Sequence, residues 1–266
     1  MLESLLRPKN AEKNILDVFL IAVMFSFIGV AFAIQIFPEQ ASIFSISLIT
    51  MMFMPFFQKF FEIEERRDYK LHKNIFARHK QLFCVLGVFF LGMIVAMSFI
   101  YVFFPHARSA FSMQENWYKA QGKTLTGYAT SNADFYLFLA NNTQVLLMVF
   151  VLSTMFGAGA IFILAWNASI IAVYLGFIIN SLIKNGVSAQ LAYFLGVPVG
   201  LGSIALHGIP EIAAYLTAAL AGGILSVGML REKLKGHFEK IFADSLIFLA
   251  VAEVLIIIAA FVEAYA

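Results

Sequence analysis

The sequence predicts an all-α fold: a polytopic membrane helix bundle with about seven crossings plus one re-entrant or broken helix. Three observations predict it. Apolar residues make up 61% of the 266 and charged residues 13%, where soluble domains carry about 25% charged. Mean hydropathy is +0.86. Several runs of about 20 residues are nearly free of charge, long enough to cross a hydrocarbon core of about 30 Å. A transmembrane β-barrel would show alternating strands of about ten residues, and the chain has no such pattern. The lipid bilayer is therefore the first partner.

Seven apolar segments stand out, at 14–37, 41–61, 82–104, 142–165, 168–184, 210–230 and 243–263. An eighth, 188–206, is interrupted by Pro198 and by glycines at 196, 200, 202 and, just beyond it, 208. The first run, from Ile15 to Phe37, follows a basic stretch and contains Ala31-Phe32-Ala33. It exceeds a signal-peptide core of about 7–15 residues and reads as a retained signal-anchor helix. The second contains Pro55 and is expected to kink there. Residues 1–61 thus form an N-terminal transmembrane hairpin, and 62–81 a charged cytoplasmic loop.

Basic residues set the orientation, because cytoplasmic loops carry excess Lys and Arg. Arg7, Lys9 and Lys13, the run from Lys59 to Lys80, and REKLKGHFEK at 231–240 hold 14 of the 18 Lys and Arg residues. Placing these inside gives a multi-pass cell-membrane protein with its N-terminus cytoplasmic and its C-terminus outside. The exceptions are Arg108, Lys119, Lys123 and Lys184. The stretch 188–230 must then cross once. As one helix it would be about 65 Å long, far more than one span needs. The expectation is a break or re-entry near Pro198 or near His207-Gly208-Ile209-Pro210. Irregular backbone at membrane depth survives only inside protein or beside a wet cavity, and in transporters it points to the binding site.

Several chemistries are excluded or weak. The one cysteine, Cys84, rules out an intrachain disulfide and a Cys-based zinc site. The net charge of +2 does not point to nucleic acid. Within the outer loop 105–140, GKTLTG lacks the P-loop pattern GxxxxGK[ST]. The same loop carries FSMQENWYKAQG, readable as a short amphipathic surface helix or as ordinary loop. Asn141-Asn142-Thr143 is a formal glycosylation sequon, better read as a helix cap at the membrane edge.

The order FLANNTQVLLMVF, then FGAGA, then IIAVYLGFIIN, then LHGIPEIAAYL, then a last helix ending FVEAYA resembles the stage II sporulation protein M family. The resemblance covers roughly 82–266, which defines a membrane domain of that kind and leaves the hairpin 14–61 as an addition. It implies a polytopic bundle, an outer loop after the 82–104 helix, and a C-terminus outside. In spore formers the family is associated with an engulfment assembly that remodels peptidoglycan; nothing in this chain points to that role. Many relatives keep a His-Gly-x-x-Glu pattern, matched here by His207, Gly208 and Glu211.

The residues read the same way without the resemblance. Glu211 is the one charged side chain between Gly186 and Leu230, and an ionisable group inside a membrane is costly enough to suggest function. His207 precedes it by four residues and can share its helix face. Topology puts Asn141, Asn142 and Glu263 at the same outer depth. Imidazole and carboxylates are ligands for a divalent metal such as zinc, with His207, Glu211 and Glu263 as the metal set and the amides as support. Equally, His207 and Glu211 can be a satisfied polar pair that locks the bundle. Glu253 lies mid-span in the last helix and should face the interior, hydrogen-bonded or protonated. Asp17 can reach Lys13, and Asn167 and Asn180 can bridge helices. Small residues at Ser153/Gly157, Gly159, Gly196/Gly200 and Ala218/Gly222 suit internal packing or a homodimer equally.

Three function classes follow. The first is a permease-like or membrane-assembly protein that binds a cation or proton at the His/Glu/Asn site. The second is an intramembrane metal-dependent hydrolase, for which no catalytic residue can be assigned. The third is a noncatalytic scaffold whose outer loop meets a protein partner or substrate.

Overall fold

Long apolar runs without internal water have one economical solution for their backbone amides, the α-helix. In the computed structural model, which describes residues 14–68, 75–120, 132–231 and 238–265, the chain takes that solution throughout. The helices are α1 (Ile15–Ile36), α2 (Ala41–Asp68), α3 (Ile75–Phe103), α4 (Ser112–Ala120), α5 (Asn132–Phe156), α6 (Ala160–Lys184), α7 (Ala189–Arg231) and α8 (Phe238–Tyr265). Short 3-10 turns start at Pro38 and Pro105, where proline supplies the first helical position. All but α4 are long and apolar enough to cross a membrane, seven candidate spans among the described residues.

Contacts between the helices fix their directions. Gly92 of α3 lies on Phe19 and Ala22 of α1, and Phe99 and Phe104 lie near Phe27, so α1 and α3 run parallel. Tyr193, near the start of α7, donates to the Val95 carbonyl (2.9 Å) near the end of α3. Gly228 meets Ile241, and Ser245 donates to the Ala221 carbonyl (3.0 Å), so α8 runs antiparallel to α7. The start of α1 and the end of α8 therefore lie at opposite ends of the bundle. The basic stretches that set the sidedness, 1–13, 69–74 and 232–237, lie outside the described residues, as do Lys13 and GKTLTG.

Between membrane helices the driving force is close packing rather than exclusion of water. Phe25, Phe53, Phe57 and Phe89 join α1, α2 and α3 through edge-on ring contacts at 4.3–5.0 Å. Glycines let the other helices approach. A Cβ on Gly176 would sit 2.1 Å from the Tyr101 ring, and one on Gly222 would sit 2.5 Å from the Phe150 carbonyl. Gly196 and Gly200 face Ile179 and Leu175 of α6. The small-residue faces are thus occupied by this chain's own helices. The hairpin α1–α2 shares the same buried core as α3 to α8.

Four expectations change. First, 188–230 is neither re-entrant nor broken. It is one helix of 43 residues that passes through both Pro198 and Pro210. Each proline deletes one backbone donor, and packing on both sides carries the helix through. The single crossing that the charge count required is kept. Second, the division between α5 and α6 falls at Gly157-Ala158-Gly159, not near residue 166. Gly157 has φ +67°, a left-handed turn that glycine adopts without strain, and the polar pair Trp166-Asn167 stays inside the helix. Third, the described residues of 105–140 are helical: α4 forms within FSMQENWYKAQG, and α5 begins at Asn132. Asn141 is therefore mid-helix and caps nothing. Fourth, α2 continues to Asp68 and α3 starts at Ile75, so most of 62–81 is helix rather than loop.

α7 has two characters. From Ala214 to Gly228 every residue is buried, against α2, α5 and α8. Its N-terminal half lies on α6 and α3 and turns Phe194 (75% exposed), Leu206 (72%) and Ile209 (68%) outward. His207 to Glu211 sit where one character passes into the other.

Candidate functional site

The row His207, Glu211, Tyr215 follows one face of α7 at four-residue spacing, in a helix that continues through Pro210. Five helices close around it. A cavity of about 140 Å³ is lined by Asn141 and Asn142 from α5, Asn167 and Tyr174 from α6, His207, Gly208 and Glu211 from α7, and Glu263 from α8, with Trp117 and Tyr118 of α4 also in its wall. Every residue of the metal set, and both supporting asparagines, lines this one cavity. Glu253 does not. It is half-buried and accepts a 2.8 Å hydrogen bond from Thr143 Oγ1, a contact that joins α5 to α8.

Tyr215 is fully buried and holds the floor together. Its hydroxyl donates to Glu211 Oε1 at 2.8 Å, with a longer approach to Asn142 Oδ1 at 3.4 Å. Asn167 turns back on its own helix, donating to the Ile163 carbonyl at 2.9 Å, rather than bridging to another. Ser203 donates to the Gly200 carbonyl (2.7 Å) and lies 2.6 Å from the Tyr174 hydroxyl, tying α6 to α7 beside the cavity. His207 and Glu263 make no side-chain hydrogen bond or ion pair with another described residue. The cavity therefore holds two carboxyl groups and an imidazole, and among the described residues neither Lys nor Arg is in its wall.

The α4 helix is held against the bundle from two directions. Ser42 Oγ of α2 donates to Gln114 Oε1 (2.6 Å) and receives the Met113 amide (3.3 Å). Tyr101 of α3 donates to Glu115 Oε1 at 2.8 Å. This anchoring lets Tyr118 stack on Phe177 of α6 at 4.9 Å. Burial pushes the Tyr118 phenol above its ordinary range, with Tyr174 adding in the same direction.

The residues of the metal set all line this cavity. Among the described residues no three His, Cys, Asp or Glu side chains are gathered so as to hold an ion. Sequence reasoning overlooked Tyr215, Tyr174, Trp117 and Tyr118. Tyr215 was within reach, since it extends the His207–Glu211 spacing by one more step of four. The aromatic residues of α4 carried no signal of their own, because their place over the cavity depends on Ser42 and Tyr101.

Fold and site together define a polytopic all-α membrane protein with an acidic cavity inside its helix bundle. The Stage II sporulation protein M family model matches residues 18–266, and the chain belongs to that family. The match takes in α1 and α2, so the first hairpin is not an addition outside the family. No curated protein and no solved structure matches the chain.

Proposed function

We propose that this membrane protein binds a proton or small cation in the Glu211/Glu263 cavity, in a permease-like or membrane-assembly role. One observation carries the reading: two carboxyl groups share a small cavity whose wall, among the described residues, has no Lys or Arg. Two negative charges in such a place repel each other and lose their hydration. A proton, an imidazolium or a bound cation relieves both costs. His207 is the available internal cation, and it is not within ion-pair distance of either carboxylate. The amide groups of Asn141, Asn142 and Asn167 add neutral oxygen acceptors beside the acids.

A dry, tightly packed bundle around Glu211 would have argued for a purely structural pair; the cavity argues against one. The hydrolase reading needs three ligands and an open coordination position, and the absence of such a cluster among the described residues disfavours it.

Dicyclohexylcarbodiimide tests the proposal, because it modifies carboxyl groups that carry a proton in apolar surroundings. In proteoliposomes it should label Glu211 or Glu263, identified by peptide mass spectrometry. Na⁺, Mg²⁺, Zn²⁺ or ethylammonium should slow the labelling in proportion to its occupancy of the cavity. Glu211→Gln with Glu263→Gln should abolish it. Absence of labelling at both carboxyl groups in buffer free of these cations would overturn the proposal. Zinc retained through purification by the parent and lost in His207→Ala would instead favour the metal-dependent reading.

A further inference from the structure

A second depression lies on the other side of Gly208. It is a groove of about 550 Å³ between α3 and α7, lined by Gly87, Phe90, Leu91 and Ile94 on one side and by residues between Leu201 and Leu216 on the other. Among the described residues no charged side chain lines it. Leu91 (42% exposed) and Ile209 (68%) stand outward at its rim, where the bundle meets lipid. Groove and acidic cavity share a wall made by Ile171, Ile204, Gly208 and Ile212. At Gly208 that wall has no side chain, and a Cβ there would meet only Ile204, at 3.9 Å.

We infer that groove and cavity form one binding site for a membrane amphiphile, its hydrocarbon chain in the groove and an ammonium head group in the cavity. This rests on the cation-binding reading of the cavity and names the class of cation. Charge selects the head. Glu211 and Glu263 would repel a phosphate or carboxylate, and among the described residues no Lys or Arg in the wall would compensate. Aromatic faces select it as well. Trp117, Tyr118 and Tyr174 stand in the same wall, and aromatic rings beside carboxylates are the recurring way to hold an ammonium. The groove selects the tail, being apolar, laterally open and widened by glycine. A Cβ on Gly87 or on Gly202 would meet nothing within 4 Å, so neither glycine is there to let helices touch. Both leave room for something that is not protein. His-Gly-x-x-Glu thereby gains a division of labour: Glu211 faces the head group, and Gly208 keeps the passage to the tail open.

The test uses the full chain in nanodiscs with two photoactivatable probes of equal chain length, a diazirine octadecylamine and the matching diazirine octadecanoic acid. The amine should crosslink to peptides containing residues 87–94 and 201–216, about tenfold more than the acid, the discrimination expected of a charge-assisted contact. Gly202→Leu, whose Cβ enters open space, should fill the groove and remove the crosslinks while carbodiimide still labels the cavity. Gly208→Leu should remove the preference for amine over acid, as should Glu211→Gln with Glu263→Gln. Equal labelling by both probes, or labelling spread over all lipid-facing helices, overturns the amphiphile site. If small cations still protect Glu211 and Glu263 from carbodiimide in that case, the cavity reading stands without it. If neither acid is labelled by carbodiimide in any condition, both fail.

Discussion

At the scale of single residues, the site rests on how an acid is tolerated inside a bundle. Glu211 keeps its place through one strong donor, the Tyr215 hydroxyl, which is itself fully buried. Removing that hydroxyl leaves a carboxyl oxygen short of its partner and costs about 1–3 kcal/mol. Tyr215→Phe should therefore lower stability by that amount in denaturant titrations of the purified protein in detergent. Tyr215→Phe combined with Glu211→Leu should recover part of the loss, since both ends of the bond are then gone. Stability unchanged in the single variant would mean the bond contributes nothing net. Glu253 shows the contrast. It too is an acid within a span, yet its oxygen is met by Thr143 and it lines no cavity. Residue type alone placed both acids in one category, and their neighbours separate them.

Among elements, α7 organises the molecule. Its buried half is rich in Ala and Gly because three helices, α2, α5 and α8, crowd it, and its other half keeps large apolar side chains because lipid accepts them. The glycines therefore differ in purpose, and substitution distinguishes them. Gly222→Ala would bring a methyl to 2.5 Å from the Phe150 carbonyl and 2.6 Å from Ser153 Cβ, pressing α5 away from α7. Overpacking of this kind costs about 1–3 kcal/mol. Gly87→Ala enters open space on a helix and should be neutral or stabilising by up to about 1 kcal/mol, the difference in helix propensity. Thermal unfolding of the two variants side by side checks the assignment. Equal destabilisation would show that the groove beside Gly87 is closed in the folded protein. Such differences were not legible in the sequence, where Gly196, Gly202 and Gly222 look alike. Only the neighbour opposite each one decides whether it is a contact point or an opening.

For the whole molecule, seven long helices place the start of α1 and the end of α8 on opposite sides, with α4 at the same end as the end of α3. In a Cys84→Ser background, Asn14→Cys and Tyr265→Cys should react with a membrane-impermeant maleimide from opposite faces of sealed vesicles. Asn116→Cys on α4 should react from the same face as Tyr265→Cys. Asn14→Cys and Tyr265→Cys reacting from one face would refute the single passage of 189–231 through the membrane.

The amino-acid sequence by itself determined the helical class, the odd number of crossings and the residues worth watching, because hydropathy and the cost of charge in lipid act locally along the chain. It also led to His207, Glu211, Glu263, Asn141 and Asn142 as residues at one depth. Whether helix 189–231 breaks was a tertiary decision. Proline weakens a helix by one backbone bond at a time, and packing along its length outweighs that loss. The cavity was a tertiary decision too. Depth follows from position along a span, but facing depends on rotation of each helix about its axis, and contacts with the other helices set that rotation.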